Sequence, residues 1–96
     1  MSYKEAHAYE QRAAELRVSV VARSSRGFMR QYERTQNVAS FCRQRVKEWP
    51  NQTWGQRRHV FIARHLAQFK KNPTERRWLA MVMWAYKAQK PKSWDK

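Results

Sequence analysis

Acidic residues are scarce in this chain: seven Asp and Glu stand against twenty-one Lys and Arg. So few carboxylates argue against the multi-carboxylate metal site on which nuclease chemistry depends. Two glycines and three prolines rule out Gly-rich phosphate loops and collagen-like or low-complexity classes. Cys42 is the single cysteine, so no intrachain disulfide forms. Its place on an apolar helical face marks it as a structural thiol. The longest apolar run, Trp78 to Tyr86, has nine residues, against the roughly 20 needed to span a bilayer. The opening Met1-Ser2-Tyr3-Lys4-Glu5-Ala6-His7 has no apolar signal-peptide core. These absences predict a chain without integral membrane association in a reducing, cytoplasmic setting.

Signatures of catalysis are missing too. No HExxH, CxxC or GxSxG pattern occurs, and His59 and His65 fall on different sides of one helix. The reading is no enzyme, no cofactor and no metal.

What the chain does have is aromatic mass and positive charge. Hydrophobic residues make up 42%, with Trp49, Trp54, Trp78, Trp84 and Trp94 among them. That is too apolar for a disordered basic tail, and 96 residues fit one domain. The formal net charge is +14. Self-repulsion of that size opposes a compact state and exceeds what solubility requires, so a polyanionic partner is expected. Arg outnumbers Lys thirteen to eight, and guanidinium forks match phosphate geometry and stack on bases. The first 16 residues are slightly acidic, whereas the remaining 80 carry a net +15.

Helical periodicity runs through the whole chain. Ala6, Tyr9, Ala13, Leu16 and Val20 share one face and predict a helix over 3–23. Ser24-Ser25-Arg26-Gly27 is a break. Phe28, Tyr32, Ala39, Cys42, Val46 and Trp49 predict a long second helix that Pro50 ends, with a new start near Thr35-Gln36-Asn37 as an option. Thr53-Trp54-Gly55-Gln56 fits a capping box and opens a helix from Trp54 to about Lys71, with Trp54, Phe61, Ile62, Leu66 and Phe69 inward. Asn72-Pro73-Thr74-Glu75 reads as N-cap, first helical position and first-turn acid, for a last helix over 73–89. The predicted fold class is all-α: a compact bundle of four helices, or five with the break, as one domain over 1–89. Residues 90–96 form a short, flexible basic tail.

The candidate contacts are arginines and lysines. Arg57 and Arg58 begin the third helix, and Arg76 and Arg77 begin the fourth. Cations are disfavoured at helix N-termini, so a bound anion would explain them. Arg23, Arg26, Arg30 and Arg34 make a stripe on a continuous helix, with Arg43, Arg45 and Lys47 prolonging the basic character. Arg64 joins Arg57 and Arg58 if Thr53 to Phe69 serves as a recognition helix after a turn at Trp49-Pro50-Asn51-Gln52. Lys90 and Lys92 give the tail its charge. Trp49, Trp54, Trp78 and Trp84 are expected in the core, while Trp94 stands apart from any periodicity.

These observations favour a small, non-enzymatic nucleic-acid-binding protein, for DNA or structured RNA, that uses phosphate contacts. Its economy suits a regulator of phage or plasmid type. The alternative is an interaction or inhibitor protein that binds an acidic protein surface. A peripheral membrane role fits less well, because the last helix lacks a clean division into basic and apolar sides. The heptad-like first two helices would also permit a homodimer.

Overall fold

In the computed structural model, which describes residues 1–46 and 51–94, four of the six described α-helices begin with a side-chain cap that the sequence supplies. The side chain of Ser2 accepts from the Glu5 N–H and starts α1, Tyr3–His7. A turn leads to α2, Glu10–Glu15. After irregular turns over 16–27, α3 spans Phe28–Thr35. Asn37 caps α4, Val38–Arg43, by accepting from Ser40 N–H at 3.0 Å. Thr53 and Gln56 form the full capping box of α5, Trp54–Lys71. The hydroxyl of Thr74 accepts from Arg77 N–H and starts α6, Glu75–Val82. The tail closes with one 3-10 turn, Lys92–Trp94.

The all-α bundle is the predicted class, and it contains no named strand among the described residues. Several boundaries differ from expectation, each for a local reason. The helix over 3–23 is two short helices. Arg17 takes a left-handed φ of 55°, the Val18 N–H returns to Ala13 O at 2.8 Å, and the buried Val18 and Ala13 complete the hydrophobic contact of a Schellman ending. Val20 and Val21 are therefore left exposed beyond the helix. The second expected helix restarts at Asn37, because Gln36 is left-handed at φ 54° and donates to Tyr32 O at 2.8 Å. That reset buries Phe41 in place of Ala39 and Cys42. Its expected end at Pro50, together with Lys47 and Trp49, lies outside the described residues.

The last helix starts two residues later than the Asn-Pro signal suggests, since Asn72 closes α5 and Thr74 is the cap. It also ends at Val82 rather than Gln89. Ala85 is left-handed at φ 58°, and Tyr86 N–H donates to Met81 O in a second Schellman ending. The chain then folds back, and the buried Trp78 indole donates to Ala88 O at 2.8 Å.

Phe28 sits at the centre of the core with no exposed surface. Its ring centroid lies 4.8 Å from Trp84, 5.1 Å from Phe41, 5.7 Å from Tyr32 and 5.9 Å from Trp54. Four parts of the chain thus meet on one ring: α3, α4, α5 and the turn after α6. α5 packs on both α4 and α6. The N-terminus is tied in by Tyr32, whose hydroxyl donates to Met1 O at 2.9 Å, and by Tyr9, whose ring meets Trp78 edge-on. Trp54, Trp78 and Trp84 are core as expected, whereas Trp94 is 38% exposed and sets its ring edge against Phe69.

Gly27 precedes Phe28 because nothing larger fits: a Cβ there would lie 2.0 Å from Val21 O and 2.4 Å from Ala22 O. Gly27→Ala is therefore expected to destabilise the fold by about 2–3 kcal/mol. Gln36→Gly, by relieving a left-handed side chain, is expected to stabilise it by about 0.5–1 kcal/mol. Thermal or denaturant unfolding of the two variants measures both, and a reversed order would contradict the assigned backbone.

Candidate nucleic-acid interface

The arginines divide into those that hold the fold and those that line its surface. Four of the expected site residues donate to carbonyls at helix ends. Arg58 gives Nε–H to Trp84 O and an Nη2–H to Ala85 O, each at 2.7 Å. Arg76 donates to Leu16 O, and Arg77 to Asn72 O at 2.7 Å. Arg23 donates to Val18 O at 2.9 Å. These carbonyls lie at or just beyond the C-terminal ends of α2, α5 and α6, where orphan acceptors and the negative end of the helix dipole favour a cation. Arg58, Arg76 and Arg77, near the starts of α5 and α6, thus have partners at other helices' ends. Arg30 is also occupied, by Glu33 at 3.4 Å and Glu10 at 3.6 Å.

The stripe Arg23, Arg26, Arg30, Arg34 does not exist as one helical face, because α3 starts only at Phe28. Arg26 and Arg34 instead line a hollow of about 300 Å³ with Arg45. The turn of the helix-turn-helix option, Trp49-Pro50-Asn51-Gln52, lies partly outside the described residues. The link from α4 to α5 is described at its two ends, from Gln44 to Val46 and from Asn51 to Thr53. It is pinned by an antiparallel bridge between Arg45 and Thr53 and by Val46 N–H donating to Gln52 O.

α5 carries the longest basic surface. Arg57, Arg64 and Lys71 are spaced by seven residues on this helix, so they form one ridge about 21 Å long. Arg64 and Lys71 are exposed and Arg57 half-buried. Between the two arginines lie Val60, 60% exposed, and Phe61, stacked on Trp84 at 4.7 Å. At the end of α5, Lys70 faces Lys90 and Lys92 across a groove that Tyr86 and Phe69 also line. Lys90 sets its ammonium 4.5 Å from the Trp78 ring centroid. On another side, Arg17, Arg76 and Arg77 share a shallow hollow with His65.

α5 itself contains no Asp or Glu. All five described acids form ion pairs: Glu5 with Lys87, Glu10 with His7 and Arg30, Glu15 and Glu75 with Arg12, and Glu33 with Arg30. They belong to α1, α2, α3 and α6. Lys70, Lys71 and Arg17 were not singled out by sequence reasoning, and Arg45 only as prolonging the basic character of the second helix. The heptad step Arg57-Arg64-Lys71 was readable, whereas Arg45 reaches its hollow only through the loop that carries it. Among the described residues no cluster of His, Cys, Asp and Glu could hold a metal, and no helix is long and apolar enough to cross a membrane.

Compared with protein-family models, curated proteins and solved structures, the chain matches none.

Arg58→Ala leaves two carbonyls without their donors and is expected to cost about 2–3 kcal/mol. Arg58→Lys recovers only part of that, since one ammonium cannot reproduce the fork. Arg64→Ala on the open ridge should stay within about 0.5 kcal/mol of the parent. Equal losses for Arg58→Ala and Arg64→Ala would refute the division. His65, stacked on Phe61 at 3.9 Å, has its pKa lowered by burial first and by Arg64 second. The unfolded state therefore takes up the proton first. Stability should be full above the ordinary His pKa of about 6.5 and fall as pH drops through it toward the lower folded value. Melting temperatures between neutral and mildly acidic pH should show this fall, and His65→Gln should reduce it.

Proposed function

We propose that this chain is a non-enzymatic nucleic-acid-binding protein that grips strand phosphates along α5 and the tail groove. The carrying observation is the Arg57-Arg64-Lys71 ridge on a helix without a carboxylate. Every described acid is already paired on other helices. A linear row of like charges repels itself, and a phosphate backbone relieves that repulsion while releasing its own counterions. Lys70, Lys90 and Lys92 extend the row beside Tyr86, an arrangement suited to a strand whose bases can stack on an aromatic ring.

One observation favours a second reading, an acidic protein partner. Val60 stands exposed between Arg57 and Arg64, next to the Phe61–Trp84 stack, which is the kind of apolar centre within a charged rim that protein interfaces use.

Binding to labelled duplex DNA, single-stranded DNA and hairpin RNA across a salt series separates the two. Affinity is expected to fall steeply with salt. The triple variant Arg57→Ala/Arg64→Ala/Lys71→Ala should flatten the log–log slope by about 2, at roughly 0.7–0.9 per lost phosphate contact. Val60→Lys should preserve or tighten nucleic-acid binding, although it would abolish an apolar protein contact. An unchanged slope in the triple variant, or no binding to any of the three near physiological salt, rejects the nucleic-acid reading.

A further inference from the structure

The hollow that Arg17, Arg76 and Arg77 share with His65 has no residue in common with the α5 ridge or the tail groove. We propose that it is a binding site for a tetrahedral oxyanion of the phosphate class, either free in solution or as a backbone phosphate of a nucleic-acid strand. The proposal rests on the nucleic-acid reading only for the second of these sources.

Three parts of the chain border this space of about 330 Å³: Arg17 from the turn that ends α2, Arg76 and Arg77 from the first turn of α6, and His65 with Gln68 from α5. Arg17 is exposed and makes no side-chain hydrogen bond or ion pair with any described residue. Arg76 and Arg77 each give an Nη1–H to one carbonyl, Leu16 O and Asn72 O respectively. A guanidinium has five N–H donors, so both keep most of theirs for a ligand.

The acids nearest in sequence are held elsewhere. Glu15, two residues before Arg17, and Glu75, next to Arg76, both pair with Arg12, at 3.1 and 2.5 Å. Three like charges around one space repel, and an oxyanion relieves that repulsion while it accepts from several forks at once. A phosphate or sulfate group offers its oxygens at the corners of a tetrahedron, which suits forks arriving from separate elements. A carboxylate offers two oxygens in one plane.

The walls hold without a ligand. Val18 N–H donates to Ala13 O at 2.8 Å and Arg76 donates to Leu16 O, and together they fix the turn that carries Arg17. The Asn72 carbonyl holds Arg77 at 2.7 Å. The His65 ring lies on Phe61, with centroids 3.9 Å apart. Side chains restrained in advance lose less entropy when they bind. Arg17, Gln68 and Arg76 are exposed at the rim, so a phosphate esterified to a strand reaches the space as a free one does.

The test is an NMR titration of the full chain with sodium sulfate, at an ionic strength held constant with chloride. Sulfate is the probe because its charge stays fixed over the range in which histidine titrates. Shifts should saturate and concentrate at Ser19, His65 and Gln68. An anion beside an imidazole favours the charged form, so sulfate should also raise the His65 pKa, which burial and Arg64 hold low. The other charged groups about that ring are Arg17, Arg76 and Arg77. Arg17→Gly should weaken sulfate binding about fivefold, the loss expected for one exposed charge-assisted contact, and should abolish the rise. Gly takes the φ of 55° at this position without strain, so the variant keeps its fold. Lys4→Ala, an equal loss of charge on α1, should change neither. Shifts that fail to saturate, that Arg17→Gly leaves intact, or that leave the His65 pKa unmoved overturn the site.

A short DNA single strand and a duplex, titrated against the sulfate-loaded chain, identify the source. Displacement of sulfate that Arg17→Gly removes assigns the hollow to strand phosphates. Strand binding at Arg64 and Lys71 with the sulfate signals unmoved assigns it to free anions, and both results support the site. If no strand binds anywhere, the nucleic-acid reading loses its support, while the sulfate titration still decides the site alone.

Discussion

The bundle depends on how a chain with two glycines ends its helices. A helix commonly closes with a left-handed residue, which glycine adopts without strain. Here neither glycine has a positive φ, and Arg17, Gln36 and Ala85 occupy those positions instead. Each costs about 1–2 kcal/mol relative to an unstrained backbone. Two of these ends, at Arg17 and Ala85, are gripped from outside. Arg76 and Arg23 take Leu16 O and Val18 O around Arg17, and Arg58 takes both carbonyls of the Trp84–Ala85 turn. A guanidinium suits this work: it is always charged, its fork can reach two acceptors, and it sits at the negative end of a dipole. Arg58 also joins α5 to the end of α6, so a local cap becomes a tertiary tie.

The aromatic core relies on those ties. Trp84 meets Phe28 and Phe61 only because the turn after α6 reverses at Ala85. Phe28 in turn enters the centre because Gly27 lets the chain pass against the carbonyls of Val21 and Ala22. Both glycines are thus spent on close approach: Gly55 likewise brings α5 against Cys42, where an added Cβ would stand 3.0 Å away. Close packing of backbone on backbone has no substitute residue, whereas a strained helix end can be held from outside.

This explains which parts of the structure were legible in the sequence. Fold class was legible, because periodicity of three and four and the Thr53 capping box are local signals. So was the burial of Trp54, Trp78 and Trp84. The restart at Asn37 was legible as an option, through its capping side chain, but the end of α2 and the short α6 were not, because their left-handed residues are Arg and Ala, which carry no stop signal. The candidate surface was legible only as charge. Arg57 and Arg64 could be placed on one helix, but Arg23, Arg58, Arg76 and Arg77 could not be recognised as caps, since their acceptors lie between five and sixty residues away. Conversely, the grouping of Arg26 and Arg34 with Arg45 depends on a loop that no periodicity describes.

A high net charge is therefore not one property in this protein. Part of it is structural, set against carbonyls and carboxylates, and it offsets costs that the scarcity of glycine creates. The rest lies along α5, around the tail groove and in the Arg26–Arg34–Arg45 hollow, whose described residues include no carboxylate except Glu75, which Arg12 already engages. The two sets differ in what a partner could gain from them. An arginine that must keep its carbonyls contributes only its remaining N–H donors and its long-range field, which salt screens within about 8–10 Å. Arg64, exposed on the ridge, can turn its fork to a phosphate. The protein's affinity for a polyanion should accordingly follow the few cations on the open surfaces rather than its formal charge, and the placement of the five described acids on α1, α2, α3 and α6 gives that affinity a direction.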